Sequence, residues 1–119
     1  MAETHSIPIP GGTAHWLTER LWELSRDLPT DEVAIDAIAE FDMDCWLDGE
    51  PATCRAVAEH TRRINNADLS VPVILSADGR LMDGGHRIAK ACLLGDKTVS
   101  TRRFRVDPTP DWGLMDDQG

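Results

Sequence analysis

The sequence predicts a small α+β domain in which a short mixed sheet is flanked by helices. Two observations carry this prediction. Stretches with an apolar residue at every third or fourth position alternate with short apolar runs that are bounded by turn residues. The chain of 119 residues also has the common size of one domain and is long enough to bury a core. The elements are expected in the order α, β, α, α, β-hairpin, α, β, which differs from a doubly wound sheet.

The first predicted helix begins after the cap Thr13 and runs to about Asp27. Four leucines share one stripe of this helix: Leu17, Leu21, Leu24 and Leu28. A short strand is predicted over residues 32–35, and a brief helix follows from the cap Asp36 to about Ala39. The first third of the chain is therefore expected to be mainly helical.

The second long helix is predicted from the cap Thr53 to about Ala67. Its inner side is expected to carry Val57, His60, Ile64 and Ala67. The continuous apolar run over residues 71–75 predicts a buried strand. The pair Asp78-Gly79 then predicts a tight hairpin turn into a further strand.

The last predicted helix runs from about Gly85 to Leu94, and Gly95 is a suitable residue to end it. Three of its residues are expected to face the core: Ile88, Ala91 and Cys92. A final strand is predicted from Thr98 to Val106. Two pairs of residues are expected on its opposite faces: Phe104 with Val106, and Arg103 with Arg105.

One domain is predicted over residues 13–112, between a flexible segment at residues 1–12 and a flexible tail at residues 113–119. The three cysteines are odd in number and show no CxxC spacing, which argues against a disulfide framework or a structural zinc site. Reduced thiols and a cytoplasmic location are expected. No apolar run approaches the length of a membrane span, so no membrane partner is predicted.

The charge distribution argues against a nucleic-acid-binding protein. The formal net charge is −9, whereas such proteins need a surplus of Lys and Arg to displace counterions. Residues 78–105 are the exception, because they hold seven Lys and Arg residues against three Asp residues. A local basic patch in an acidic protein favours a small anionic ligand. The alternative is a solvated basic face with no ligand.

The strongest functional signal lies where the hairpin ends and the last helix begins, in the run Asp83-Gly84-Gly85-His86-Arg87. The first N–H groups of a helix have no internal partner, and the helix dipole is positive there. Two glycines allow the backbone to approach a ligand closely. The run therefore predicts an anion-binding turn for a phosphate group, with further contacts from His86, Arg87 and Lys90.

The role of Asp83 has three possible interpretations, because a carboxylate beside an anion site would otherwise repel the ligand. The carboxylate is expected to bind a metal, to accept a proton or to cap the helix. In the purely structural alternative Asp83 is the helix cap, the glycines relieve steric crowding, His86 packs and Arg87 is solvated.

Residues 71–95 resemble the ParB/sulfiredoxin superfamily, through three segments: Pro72-Val73-Ile74-Leu75, Asp78-Gly79-Arg80 and Asp83-Gly84-Gly85-His86-Arg87-Ile88-Ala89-Lys90-Ala91. A weaker likeness begins at residue 28, so that the resemblance covers residues 28–107. The Asp-Gly-His-His-Arg motif of the free-serine kinase branch is the most similar, and only Gly85 departs from it. Gly85 also stands where sulfiredoxins have a catalytic Cys, and the Gly-Glu-Arg-Arg motif of DNA-partitioning ParB proteins is absent, so neither of those activities is expected.

The resemblance implies an α+β fold that binds nucleotide phosphates on the Gly-rich turn, with ATP, ADP or CTP and Mg²⁺ as the expected cofactors. It implies that residues 84–87 hold phosphates and that Asp83 and His86 are catalytic, Asp83 as base or metal partner. Glu32 is the other candidate acid, with Asp31 beside it, and the alternative for both is a surface turn after Pro29.

Three functional hypotheses follow from these observations. The first is a nucleotide-dependent phosphotransferase or nucleotidase that acts on a small molecule. The second is a non-catalytic sensor of a nucleotide or phosphometabolite, and the third is a structural domain that assembles with itself or another chain. The remaining histidines and the tryptophans are assigned to packing or to no role: His5, His15, His60, Trp16, Trp22 and Trp46. Trp112 is expected to cover an edge of the domain or to mark a partner contact.

Overall fold

The structure is a computed structural model that describes residues 4–9, 12–47 and 49–115. Along the chain, the first elements are β1 (Thr4–Ile9), β2 (Gly12–Leu17), α1 (Thr18–Ser25) and β3 (Thr30–Ala34), followed by two 3₁₀ turns (Ile35–Ala37 and Ala39–Asp42). The second half contains α2 (Cys54–Asn66), β4 (Val73–Leu75), β5 (Leu81–Asp83), α3 (Gly85–Leu93), β6 (Thr98–Arg103) and β7 (Trp112–Met115). The predicted α+β fold class is confirmed.

A four-stranded mixed sheet forms the centre, in the order β3-β6-β4-β5. Strand β6 is antiparallel to β3 and parallel to β4, and β4 and β5 form the predicted antiparallel hairpin. Gly79 lies in the hairpin turn with a φ of 82°, the conformation that a tight turn requires of its glycine.

Strand β4 is buried on both faces, which explains its continuous apolar run. Val73 and Leu75 belong to a core cluster with Ile88 of α3, whereas Ile74, which points the other way, packs with Leu21 of α1. The sheet is therefore enclosed between α3 on one side and the N-terminal elements on the other.

The N-terminal region differs from the prediction, because residues 12–17 form a strand where the long helix was expected. Burial alternates along β2, with Ala14 and Trp16 buried, so the true period is two. Helix α1 is correspondingly short, and of the leucine stripe only Leu21 is fully buried while Leu24 is exposed. The helical spacing of the leucines thus led to the prediction of one long helix, where the structure has a strand followed by a short helix.

Both ends of the chain contribute to a second sheet, in the antiparallel order β1-β2-β7. Residues 4–9 and 112–115 were expected to be flexible or at the domain edge, and they form strands because β2 offers a hydrogen-bonding edge on each side. His15 of β2 stacks on Trp112 with ring centroids 5.0 Å apart. Residues 1–3, 10–11 and 116–119, also predicted to be flexible, lie outside the described residues.

Helix α2 is confirmed together with its cap, because the Thr53 hydroxyl accepts a hydrogen bond from Ala56 N at 3.1 Å. Three predicted inward positions are wrong: Val57, Cys92 and Val106 are exposed. Strand β6, which was predicted to reach Val106, ends at Arg103, so Val106 lies beyond the sheet. Cys92 lies at the margin of the buried face of α3, which is formed by Arg87, Ile88 and Ala91. Among the described residues, no helix is both long and apolar enough to cross a membrane.

Candidate functional site

The Gly-rich run lies at the predicted junction of strand and helix, with β5 ending at Asp83 and α3 beginning at Gly85. Gly84 occupies the N-cap with a φ of 121°, and a Cβ atom there would lie 2.9 Å from Val73 Cγ2. A Cβ atom at Gly85 would lie 3.2 Å from Trp46 Nε1. Gly84 is therefore required by backbone conformation as well as by close packing, whereas Gly85, which has no positive φ, is favoured by close packing alone.

The N-terminus of α3 has no side-chain cap. Ile88 N donates the first helical hydrogen bond, to Gly84 O at 3.0 Å, so the N–H groups of Gly85, His86 and Arg87 have no partner within the helix. The partial positive charge of this helix end faces a cleft that these same three residues line.

Asp83 does not cap the helix, so the structural alternative for its role is wrong. Its Oδ2 atom accepts a hydrogen bond from Trp22 Nε1 of α1 at 2.7 Å and forms an ion pair with the Arg87 guanidinium. The carboxylate is thus neutralised by a neighbouring cation, which reduces its repulsion of an anion at the helix end.

Arg87 is buried, contrary to the alternative in which it is solvated. Its Nη1 atom donates to the carbonyl oxygens of Val71, at 3.1 Å, and Pro72, and its Nη2 atom donates to Asp83. Three of its five N–H donors are therefore used inside the protein. A phosphate contact from Arg87 stays a prediction, restricted to the two other donors.

Two predicted site residues lie away from the cleft. Lys90 Nζ donates to Asn65 O at 3.0 Å and Ala67 O at 2.8 Å, where it stabilises the C-terminal end of α2. Glu32 lies on β3 at the opposite edge of the sheet, three strands or roughly 14 Å from β5, and accepts a hydrogen bond from Thr98. The helical periodicity of the sequence does not reveal that the Lys90 side chain is directed toward α2. The order of elements along the chain does not reveal which edge of the sheet β3 occupies.

The cleft has a volume of about 960 Å³ and brings together side chains from distant parts of the chain. Residues 83–87 form its floor. Further cleft residues, none of which was predicted to belong to the site, come from β1, the segment after the 3₁₀ turns, α2 and the β4–β5 hairpin: His5, Trp46, His60, Arg63 and Arg80.

Three parallel rings form one wall of the cleft. His60 and His86 share a hydrogen bond of 2.9 Å between Nδ1 and Nε2, and each stacks on Trp46, with centroid distances of 4.9 and 4.3 Å. Their own centroids are 5.2 Å apart, which is too close for rings on opposite sides of an indole. The two imidazoles therefore lie side by side on the same face of Trp46.

Trp46 is positioned by its own loop. One carboxylate oxygen of Asp44 accepts hydrogen bonds from Trp46 N at 3.2 Å and Leu47 N at 2.8 Å, and the other accepts one from Gly49 N at 3.0 Å. Such an Asp-centred turn is recognisable in sequence, but its contact with His60 and His86 is not.

A second ion pair joins Glu40, in the second 3₁₀ turn, to Arg80 of the hairpin. Partial burial opposes ionisation of Glu40, but hydrogen bonds from Arg80 and from Leu81 N lower the pKa of this carboxyl below its ordinary value. Glu40 and Asp83 are thus both paired with arginine, while two further acidic residues, Asp44 and Asp68, also line the cleft.

Burial, the positive charge of Arg63 and the neighbouring His60 together lower the pKa of His86 to about 4, against the opposing effect of Asp83. Burial also lowers the pKa of His5, despite the nearby Asp83 and Glu40 carboxylates. Both imidazoles are therefore neutral at pH 7. The Nε2 atom of His86 is hydrogen-bonded to His60, so of its two ring nitrogens only Nδ1 is left for a further partner.

The stability of the protein is expected to fall as the pH is lowered from about 6.5 to about 4. His86 binds its proton less readily in the folded chain than in the unfolded chain, so its stabilising effect is complete above pH 6.5 and is lost on acidification. The slope is at most about 1.4 kcal/mol per pH unit and is reduced by partial solvent exposure. Urea unfolding at pH 7 and pH 4.5 measures it, and His86→Gln should flatten the profile. An unchanged profile in this variant would contradict the assignment.

Among the described residues, no group of three His, Cys, Asp or Glu side chains is arranged to hold a metal ion. Comparison with known proteins finds no match to this chain among protein families, curated proteins or solved structures.

Proposed function

We propose that the cleft binds a small phosphate-containing molecule, of which nucleotides are the expected class, with a phosphate at the N-terminus of α3. The observation that carries the proposal is the uncapped end of α3 at the floor of the cleft. Its unpaired backbone N–H groups suit phosphate oxygens.

The size of the cleft and the pairing of two of its carboxylates support the same ligand class. About 960 Å³ lies at the upper end of the range for small-molecule sites and exceeds what an isolated phosphate needs. Three arginines and four acidic residues line the cleft: Arg63, Arg80, Arg87, Glu40, Asp44, Asp68 and Asp83. Arg80 pairs with Glu40 and Arg87 pairs with Asp83, so these two carboxylates repel an incoming anion less strongly.

A second candidate function is phosphoryl transfer from a nucleotide to a hydroxyl compound. The hydrogen-bonded pair of His60 and His86 favours it, because the neutral imidazole of His86 can accept the hydroxyl proton as the new O–P bond forms and the bond to the nucleotide breaks. Asp83 is the weaker candidate base, since its Oδ2 atom already accepts two hydrogen bonds.

Thermal unfolding with ATP, ADP, CTP and inorganic phosphate, each with and without Mg²⁺, tests the binding proposal. A ligand at about 100 times its Kd adds about 2.7 kcal/mol, which is expected to raise the Tm by about 10 °C in a domain of this size. Arg63→Gln should reduce the shift, because Arg63 lines the cleft. Arg62→Gln is the matched control, since Arg62 is its exposed neighbour and pairs with Glu59. If none of the four compounds shifts the wild-type Tm, the proposal is wrong.

Turnover separates the two candidate functions. If the protein is a phosphotransferase, a panel of hydroxyl metabolites with ATP should yield a phosphorylated product, and His86→Gln should abolish it while retaining part of the Tm shift. A Tm shift without product from any acceptor would support a sensor. Loss of turnover in Asp83→Asn with retained His86→Gln activity would transfer the role of base to Asp83.

A further inference from the structure

A second cavity of about 310 Å³ adjoins the cleft. It lies between the segment after the 3₁₀ turns, α2 and the outer side of α3, and five residues line both cavities: Glu40, Cys45, Trp46, Leu81 and Gly85. Unlike the cleft, the second cavity has walls that are almost entirely apolar, and we call it the apolar pocket.

The side chains that line the apolar pocket indicate what it accommodates. Phe41 and Trp46 provide aromatic walls, and Met43, Cys45 and Cys92 provide three sulfur atoms. Thioethers and thiols are polarizable and make favourable contacts with the edges of aromatic rings. The scarcity of hydrogen-bonding groups disfavours a nucleobase, whose polar edges need partners.

The position of the apolar pocket links it to the phosphate site. Gly85 and Trp46 both line the two cavities. They are in close contact, since a Cβ atom at Gly85 would lie 3.2 Å from the indole nitrogen of Trp46. A ligand with its phosphate at the start of α3 therefore has an apolar space within reach of its other end. Met43 and Leu93, both strongly exposed, stand at the rim of this space.

We propose that the apolar pocket binds an aromatic ring of the same ligand whose phosphate is held at the N-terminus of α3. This inference rests on the proposed function and specifies its ligand class as an aromatic phosphate ester. The ring makes contacts with Phe41, Trp46 and the sulfur atoms, while the cleft holds the charged end.

Benzyl phosphate and methyl phosphate, which share the charged group and differ in the ring, are suitable probes. Burial of the ring should make benzyl phosphate bind about tenfold more tightly or better, as measured by titration calorimetry. Ala89→Leu narrows the apolar pocket without touching the cleft and should remove this advantage while methyl phosphate binds as before. Ala58→Leu, at an exposed position of α2, is the matched control.

Alkylation of the three cysteines can report binding to the apolar pocket in the wild-type protein. All three are exposed, but Cys92 lines only the apolar pocket, Cys45 lines both cavities, and Cys54 lines neither. Because burial raises the pKa of Cys45, this thiol alkylates slowly, and Cys92 is the better reporter. Benzyl phosphate should slow the alkylation of Cys92 by N-ethylmaleimide, methyl phosphate should not, and Cys54 should react equally in both.

The outcomes separate the two proposals. Equal affinity for the two phosphates, with Cys92 unprotected, would overturn the aromatic subsite while the phosphate site stands. Failure of wild type to bind either phosphate would overturn both. Protection of Cys92 by benzyl alcohol, in a protein that binds neither phosphate, would contradict the proposed function and would leave a ring-binding pocket without a phosphate partner.

Discussion

Gly84→Ala is expected to destabilise the protein by about 2–6 kcal/mol, because the added methyl group strains the backbone and also overlaps a neighbouring side chain. The backbone of Gly84 has a φ of 121°, which strains a residue with a side chain by about 1–3 kcal/mol. The added Cβ would also lie 2.9 Å from Val73, a fully packed residue of the central strand. Relieving that overlap costs about 1–3 kcal/mol more. Urea unfolding at pH 7 measures the loss.

Gly79→Ala provides the matched control, because Gly79 also has a positive φ, of 82°, but nothing lies within 4 Å of the Cβ position. This variant should lose only the conformational part, about 1 kcal/mol. The difference between the two variants isolates the contact with Val73. Equal losses would show that the close approach of the turn to β4 has no energetic consequence.

Arg87→Met is expected to cost about 3–5 kcal/mol, because it leaves the partly buried Asp83 carboxylate without its cation. It also removes the donors to the Val71 and Pro72 carbonyl oxygens, which tie the start of β4 to α3. Methionine keeps most of the volume, so the loss reports on charge and hydrogen bonding. Chemical denaturation of the variant gives the value directly.

A double-mutant cycle separates the ion pair from the carbonyl contacts. Asp83→Asn combined with Arg87→Met should be less destabilising than the sum of the single changes, because the second change removes a charge that the first has left unpaired. Arg62→Met is the control, since the Arg62–Glu59 pair is exposed and should contribute less than about 0.5 kcal/mol. Strict additivity at Asp83 and Arg87 would mean that the ion pair has no net role in stability.

The elements that the sequence predicted well are those with local signals. Helix α2 has its cap Thr53, the hairpin has Gly79 in its turn, and α3 follows the Gly-rich run directly. Strand β7 was missed because its pairing with β2 joins residues about 100 positions apart, which no local pattern reports. Strand β2 was missed because the spacing of its residues was interpreted as part of a helix.

Only the part of the candidate site that lies within one segment of the chain could be predicted from the sequence. The run from Asp83 to Arg87 lies at the start of α3 as expected. The partners of Asp83 and the contact between His60 and His86 depend on how three helices meet, and neither follows from spacing within any one of them. The position of Glu32 away from the cleft could not be predicted for the same reason, since the order of strands in the sheet determines its distance from the cleft.

The loop around Asp44 has a consequence for how recognition can diverge among descendants of this protein. Its carboxylate accepts hydrogen bonds from the backbone N–H groups of Trp46, Leu47 and Gly49, so contacts within the loop hold these residues. The residue presented at position 46 lies on that loop, whereas Gly84 and Arg87 are tied to the central strand. Natural variation can therefore exchange the surface that meets the ligand while the positions that maintain folding stay constant.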